Sequence, residues 1–288
     1  MLGHLEDIRF LAGVALSAIL FEFVYWTFGF LRMSTTGMTA QAVGRDDQHG
    51  LHLILFRSLL LALIFSAIII LAQKLIAWVG FGLLSGTAEV EAAGRDYFFA
   101  RIWGAPAALC NFVFLGWFLG REKSNYALYM TIVANVANVI LDYVFLFVLN
   151  LAAFGAGLAT MISQYLSLFV AIFLFLKMKG VHFIRWREIV NRRELVKMLK
   201  LNVDITIRTF GLISAFAVFM NFSATIGVRI LAANAVLLRI LDFAAYFIDG
   251  AAFATESLGG IFYGQKNVKL LKWVLRYSLI VGELFALA

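Results

Sequence analysis

Four polar side chains recur along one apolar stretch of the sequence, residues 125–149. They are Thr131, Asn135, Asn138 and Asp142, at successive spacings of four, three and four residues. These spacings place all four on one face of an α-helix. A carboxylate at the centre of a bilayer costs roughly 3 kcal/mol or more, so an acidic residue there indicates a function by default. The alternative is structural: Asn138 only makes a packing hydrogen bond, and Asp142 pairs with a basic residue from elsewhere in the chain.

The next apolar stretch, 155–177, carries a facing stripe of Ala156, Thr160 and Gln164. A loop of about five residues makes the two stretches antiparallel neighbours, and a rise of about 1.5 Å per residue puts Asp142 and Thr160 at a similar depth. A carboxylate, an amide oxygen, a hydroxyl and a helix carbonyl form an oxygen-only set. Such a set suits a hard cation such as Na⁺, or a proton held on the carboxylate.

The site predicted from these stripes has two parts. The cation is expected at Asn138, Asp142 and Thr160, together with Ala156. The other polar groups of the two stripes are candidates for lining a substrate cleft, and they are Thr131, Asn135 and Gln164.

Acidic residues also occur in the stretch 230–263. Asp249 and Glu256 are seven residues apart and share a helix face, so a cavity that they line would attract cationic substrates. Hydrogen bonding between helices is the alternative role. Two further charged pairs have spacings typical of local ion pairs: Arg239 with Asp242, and Asp204 with Arg208.

The composition requires a membrane to position these residues. Of 288 residues, 63% are hydrophobic and 14% are charged, and the mean hydropathy is +0.92. A soluble domain of this length cannot bury so much apolar surface, which excludes most soluble enzymes and binding modules. A spanning helix needs about 20 apolar residues. The sequence predicts an all-α protein with about eight spans, at 10–43, 51–80, 97–119, 125–149, 155–177, 200–226, 230–263 and 271–288.

Other chemistry finds little support in the sequence. The single cysteine, Cys110, excludes a disulfide framework. No phosphate loop, zinc-protease motif or nucleophile elbow is present, so we expect no enzyme and no cofactor beyond a coupling ion. Pro106 lies inside the third span and is expected to kink it.

Basic residues concentrate in alternate loops. The loop between the fifth and sixth spans is the most basic, with Lys177, Lys179, Arg185, Arg187, Arg192, Arg193, Lys197 and Lys200. Basic loops stay in the cytoplasm, so this pattern predicts an integral protein of a bacterial-type plasma membrane, with these loops inside. Binding of nucleic acid by this loop is a weaker alternative.

The sequence also contains an internal repeat at an offset of 220 residues. Residues 8–60 align with 228–280 without gaps, at 11 identities over 53 positions. The matched halves have the same topology, which is the parallel type of repeat. Each complete half would hold six helices. We therefore expect a first lobe, 1–178, that lacks its first helix, a basic cytoplasmic connector, 179–199, and an incomplete second lobe, 200–288.

With these residues laid out, the chain resembles the multidrug and toxic compound extrusion (MATE) family, nearest its DinF-like branch. The resemblance rests on FGFLRMSTTGMTAQ at 28–41, NVILD at 138–142 and ILAANA at 230–235. It implies twelve helices in two six-helix lobes around a cleft. It also implies exchange of Na⁺ or H⁺ for small organic, mainly cationic, drugs.

Position by position, the family's cation site falls on Asn138, Asp142, Ala156 and Thr160. The family also uses an aspartate in its first helix, which has no counterpart here. Two alternatives stay open beside a drug antiporter or a fragment of one. They are a flippase for lipid-linked oligosaccharides of the same superfamily and a non-functional remnant. The sequence leaves the oligomeric state and the choice of ion undetermined.

Overall fold

The structure is a computed structural model that describes residues 8–84, 86–178 and 184–287. All regular secondary structure in these residues is helical, as the composition predicts. The helices are α1 (Ile8–Thr27), α2 (Phe30–Gly44), α3 (Gln48–Leu71), α4 (Gln73–Leu83), α5 (Ala88–Arg101), α6 (Ala105–Gly120), α7 (Ser124–Tyr143), α8 (Ala152–Lys177), α9 (Trp186–Ile189), α10 (Arg192–Ile226), α11 (Val228–Gly264) and α12 (Val268–Leu287).

Within the described residues, six helical segments are long and apolar enough to cross a membrane. They correspond to the first six predicted spans, and α11 and α12 occupy the positions of the last two. α12 differs from the others because Lys269, Lys272, Arg276 and Glu283 interrupt its apolar residues.

Three predicted spans are broken where the sequence analysis drew one continuous segment. The first divides into α1 and α2 at Phe28–Gly29, where 3₁₀-type hydrogen bonds replace the α-helical ladder. The second divides at Ala72, so α3 and α4 are separate helices. The third starts at Ala88 rather than at 97 and passes through a 3₁₀ turn, Ile102–Gly104, just before Pro106 in the first turn of α6. The expected interruption near Pro106 is confirmed, because proline is tolerated only in the first turn of a helix.

α6 forms the centre of the first lobe, packed among α2, α3 and α8. Its side chains Leu109, Val113, Trp117 and Phe118 are fully buried. The indole Nε1 of Trp117 donates a hydrogen bond to the backbone oxygen of Leu51 on α3 at 3.0 Å. A buried indole needs such an acceptor, so this contact fixes α3 against α6.

The repeat is present in three dimensions at the predicted offset. α1 and α2 together end at Gly44, and α11 ends at Gly264. The turns that follow have the same backbone hydrogen bonds and the same positive φ, 55° at Asp46 and 57° at Lys266. Even a side-chain pair recurs. The hydroxyl oxygens of Thr35 and Ser58 are hydrogen-bonded at 3.0 Å, and those of Thr255 and Ser278 at 2.9 Å.

The two halves meet where α2 crosses α11. A Cβ atom on Gly264 would overlap the backbone oxygen of Gln41, and one on Gly44 would overlap the backbone oxygen of Ile261. These contacts are reciprocal at the offset of 220, so the crossing lies on a pseudo-twofold axis between the halves. The C-terminal ends of both helices meet there, so the helices run in the same direction, as a parallel repeat requires.

The predicted connector, 179–199, is partly helical. Residues 179–183 lie outside the described residues, and the remainder contains α9 and the start of α10. The backbone oxygen of Glu188 accepts from Arg57 on α3 at 2.8 Å, and the Glu188 carboxylate lies 2.7 Å from His49 Nε2. Both contacts tie α9 to one end of α3.

Candidate functional site

Three of the four predicted cation-site residues on α7 and α8, Asn138, Thr160 and Ala156, are joined by hydrogen bonds. The side-chain nitrogen Nδ2 of Asn138 donates to Thr160 Oγ1 at 3.3 Å. Thr160 Oγ1 in turn donates to the backbone oxygen of Ala156 at 3.0 Å. Because the hydroxyl proton is used on Ala156, Asn138 must present its amide nitrogen to Thr160. Asn138, Thr160 and Ala156 therefore form one continuous hydrogen-bonded chain between the two helices.

Asp142 lies one helical turn from Asn138, near the end of α7. Its Oδ1 atom is buried, and within the described residues this oxygen has no hydrogen-bond partner. A π-helical turn, Val144–Val148, follows directly, and π-helical turns are frequent at functional sites. A buried carboxylate oxygen without a donor is a place where a proton or a small cation can bind.

The other residues of the α7 stripe are not joined to this cluster. Thr131 and Asn135 are exposed, and the Thr131 hydroxyl donates to the backbone oxygen of Ala127 in its own helix at 3.0 Å. Gln164 contacts α6 instead of α7. Asn111 Nδ2 donates both to the backbone oxygen and to the side-chain Oε1 of Gln164, each at 3.0 Å. Asn111 was not predicted as a site residue, because its only signal in the sequence is an amide within an apolar helix.

A cavity of about 720 Å³ lies between the two lobes, enclosed by α2, α10 and α11. Asp249 and Glu256 both line it, and their role in substrate binding stays a prediction. Arg32, Asp204 and Arg208 line it as well, together with Met33, Ile205, Ala252 and Phe253. The volume lies within the range of small-molecule binding sites, about 300–1,000 Å³.

An ion pair crosses this cavity from lobe to lobe. Arg32 Nη1 lies 3.4 Å from Glu256 Oε2, and its guanidinium group stacks over the Phe253 ring at 4.4 Å. The pairing of Arg32 with Glu256 was not recognisable from spacing, because the two residues are 224 positions apart.

The local ion pair predicted between Asp204 and Arg208 is wrong. The described side chains show no Asp204–Arg208 contact within 4 Å, and Arg208 Nη2 donates instead to Met33 Sδ at 3.5 Å. Both side chains line the inter-lobe cavity, which spacing along one helix could not reveal. The Asp242 side chain of the other predicted pair lies outside the described part of the chain.

The types of ligand atom on α7 and α8 indicate which cation the site could bind. Nowhere in the described residues do three His, Cys, Asp or Glu side chains converge on one metal-sized position. Asp142, one helical turn from Asn138, would add the one carboxylate to this cluster, whose other oxygens are neutral. One charge with neutral oxygens suits Na⁺ or H⁺.

Comparison with known proteins finds relatives that align with nearly the whole chain. The sequence model of the MatE family matches residues 1–144. The DNA damage-inducible protein F of Escherichia coli (strain K12) is 34% identical over 293 aligned residues, covering 99% of this chain and 64% of that protein. A probable multidrug resistance protein NorM of Acinetobacter baylyi is 24% identical, covering 100% of this chain and 65% of that protein.

Solved structures show the same similarity. A MATE structure in the bent conformation superposes with a TM-score of 0.87 at 26% identity, over 98% of this chain and 63% of that chain. An outward-facing multidrug resistance MATE transporter of the MOP superfamily superposes with a TM-score of 0.84 at 26% identity, over 96% and 62%. The chain spans less than two thirds of the length of these proteins.

The sequence motifs, the parallel repeat and the apolar helices around an inter-lobe cavity all agree with these matches. The predicted family and fold class are confirmed, and the chain belongs to the multidrug and toxic compound extrusion family, whose members are membrane transporters and not enzymes.

Proposed function

We propose that this chain forms part of a cation-coupled antiporter that expels small organic cations, with Na⁺ or H⁺ as the coupling ion. The observation that carries the proposal is the buried Oδ1 of Asp142 beside the Asn138–Thr160–Ala156 chain of hydrogen bonds. A carboxylate that lacks a donor has two ways to become stable in an apolar interior: it takes a proton, or it takes a cation. Either event changes the charge inside the first lobe.

The two ions place different demands on this site. A proton needs only Asp142, and the hydrogen bonds between Asn138, Thr160 and Ala156 stay as they are. Na⁺ shared with Thr160 Oγ1 requires the Asn138 amide to turn over, because its nitrogen now faces Thr160. Binding of Na⁺ would then break a contact between α7 and α8, which is one way for an ion to change the packing of the lobe.

The contacts between the lobes support an alternating-access mechanism. α2 and α11 close tightly at their C-terminal ends, and the inter-lobe cavity lies toward the other end of α2, at Arg32 and Met33. If the loops that follow α2 and α11 are cytoplasmic, as the alternation of basic loops along the whole chain favours, the crossing seals the cytoplasmic side. The substrate cavity then opens outward, and transport requires the α2–α11 crossing to separate in the opposite state.

The charges of the cavity favour cationic substrates. Three carboxylates, Asp204, Asp249 and Glu256, face two guanidinium groups, Arg32 and Arg208. Because Arg32 pairs with Glu256, the remaining excess is negative. The same excess disfavours the flippase alternative, since the phosphates of a lipid-linked oligosaccharide would be repelled.

We expect the working transporter in a bacterial inner membrane, in contact with the lipid bilayer and without nucleic-acid partners. The bacterial relatives and the apolar helices support this location.

Ethidium accumulation tests the proposal in cells that lack other drug exporters. The cells express the chain extended with the helices that complete twelve. We expect less ethidium than in cells with an empty vector, and loss of the difference when either the Na⁺ gradient or the H⁺ gradient is collapsed with a selective ionophore. Equal accumulation in both strains, or export that survives the loss of both gradients, would contradict the proposal.

A further inference from the structure

A second charged position lies inside the first lobe, apart from the inter-lobe cavity. Arg101 is the last residue of α5, between the fully buried Ala100 and Ile102. Its guanidinium group is surrounded by aromatic rings, with ring centroids at 4.4 Å for Phe21, 5.6 Å for Tyr97 and 5.8 Å for Tyr25. Small residues bring this part of α5 close to α8, since a Cβ on Gly157 would overlap the backbone oxygen of Tyr97.

Arg101 has few partners for its charge. Nη1 donates to the Tyr97 hydroxyl at 2.9 Å, which uses one of five N–H donors. Among the described residues, no carboxylate lies within 4 Å of the guanidinium group; Glu22, beside Phe21 on α1, is exposed. Aromatic faces stabilise a cation only modestly, and a charge within the membrane normally has an opposite charge as its partner.

The guanidinium group borders a cavity of about 80 Å³, which is large enough for a few water molecules or one small anion. The other polar residues of its wall are Tyr25, Thr160 and Gln164. The Thr160 hydroxyl is already used, because it accepts from Asn138 and donates to Ala156.

Gln164 has its amide group fixed by Asn111. Asn111 Nδ2 lies 3.0 Å from the backbone oxygen of Gln164. Because a backbone oxygen only accepts hydrogen bonds, the Asn111 atom that faces it must be the amide nitrogen. The Gln164 side-chain atom that the same nitrogen contacts, also at 3.0 Å, must therefore be the oxygen. The group of Gln164 that stays free is its NH₂.

Three groups around this cavity still have hydrogen atoms to donate: the N–H groups of Arg101, the NH₂ of Gln164 and the hydroxyl of Tyr25, which can also accept. Donors combined with a fixed positive charge select an anion. We infer that the first lobe contains an anion site at Arg101 that takes chloride or the carboxylate group of a small acid such as acetate. Larger organic anions are excluded by the size of the cavity.

Chloride binding by the purified chain in detergent micelles tests this inference. The ³⁵Cl NMR line width reports bound chloride, and micelles without protein give the blank. We expect line broadening above the blank that acetate reverses and gluconate, which is too bulky for the cavity, leaves unchanged. This first measurement uses the chain without substitutions. Absence of broadening, or equal displacement of chloride by acetate and gluconate, would overturn the inference. The measurement involves no transport, so it can fail while the proposed efflux function stands.

Variants locate the site. Arg101→Gln should weaken chloride binding at least tenfold. The matched control is Arg121→Gln, because Arg121 also stacks on an aromatic ring, Trp117 at 4.6 Å, but does not line this cavity. Gln164→Glu keeps the oxygen that Asn111 needs and adds a carboxylate next to Arg101, so it should expel chloride while Arg101 is intact. Full binding in Arg101→Gln or in Gln164→Glu would refute the assignment.

Discussion

At the scale of single residues, Thr160 is the point through which α7 and α8 are joined. Its hydroxyl accepts a hydrogen bond from Asn138 and donates one to Ala156, so both of its hydrogen-bonding roles are used at once. Removal of this hydroxyl leaves the Asn138 nitrogen without an acceptor in a partly buried place, which costs more than the loss of one exposed hydrogen bond.

Thr160→Val tests this role, because valine keeps the shape of threonine and deletes the hydroxyl. We expect the free energy of unfolding to fall by about 1–3 kcal/mol, the cost of a buried polar group without a partner. Denaturant titration of the purified chain in micelles measures the change. Thr131→Val is the control: the Thr131 hydroxyl contacts only its own helix, so its loss should change the free energy by less than about 0.5 kcal/mol. Equal losses would show that Thr160 does not join the helices.

The inter-lobe ion pair gives a second prediction. Arg32 and Glu256 retain 18% and 28% side-chain exposure, whereas Lys197 and Glu194 retain 65% and 36%. A double-mutant cycle with Arg32→Met and Glu256→Gln should give a coupling energy of about 1–2 kcal/mol. The same cycle at Lys197 and Glu194 should give about 0.2–0.5 kcal/mol, because water screens that pair. Coupling at Arg32 no larger than at Lys197 would mean that the pair does not hold the lobes together.

The contact of Asn138 with Thr160 was predictable from the sequence, since helical spacing and a short loop determine which residues of neighbouring helices face each other. The positions of Arg32 and Arg101 were not. Their surroundings come from helices distant in the sequence, and an arginine in an apolar segment carries no sign of which ring or carboxylate it will meet. The roles of Asn138, Asp142, Ala156 and Thr160 in ion binding stay predictions.

At the scale of helices, glycine decides how closely α2 and α11 approach. Gly264 packs directly on the backbone of Gln41, and Gly260 packs on Ala40. Such crossings of small residues allow close backbone contact in membrane proteins, where helix packing has little help from the hydrophobic effect.

Gly264→Ala should therefore destabilise the chain by about 1–3 kcal/mol, because the added methyl group has no space. Gly282→Ala is the matched control in α12, since no atom lies within 4 Å of its Cβ position. Alanine there should be neutral or stabilising by up to about 1 kcal/mol, because it favours the helix over glycine. Thermal unfolding of the two variants side by side distinguishes these signs. A stabilising Gly264→Ala would contradict the tight crossing.

Helix breaks were predictable only in part. Pro106 predicted the interruption of the third span, because proline in the interior of a helix destabilises it. The breaks at Phe28–Gly29 and Ala72 had no comparable signal. The repeat makes the point sharply, because α11 passes without a break through the positions that correspond to Phe28 and Gly29. The residues there differ, Phe28–Gly29 against Ile248–Asp249, so this break belongs to the first half and not to the repeat as a whole.

At the scale of the molecule, the repeat relates the two halves and shows how unequal they are in this chain. The first half supplies α1 to α8, and the second supplies α10, α11 and α12. The offset of 220 residues was readable from the sequence because residues 8–60 and 228–280 align without gaps, including the turn between the helices. The cavity between the halves was not, because it depends on how the lobes meet.

The chain by itself is expected to lack drug export. Three helices of the second lobe provide little surface to close the cleft on the side opposite the α2–α11 crossing, so alternation between two sealed states is not available. Ethidium or norfloxacin accumulation in cells that express only these 288 residues should equal that of the empty vector. Export above that level would contradict this expectation.

The coupling role of Asp142 is the central claim, and Asp142→Asn tests it most directly in a chain completed to twelve helices. Asparagine keeps the size of the side chain and removes its charge and its exchangeable acidic proton. The variant should insert normally, because an amide costs less than a carboxylate in the membrane. Drug uptake into everted vesicles under an imposed Na⁺ or H⁺ gradient should be lost in Asp142→Asn and kept in Leu141→Asn, which places the same amide one position round the helix. Gradient-driven uptake by Asp142→Asn equal to that of the parent would show that Asp142 is a structural residue and that the ion couples elsewhere.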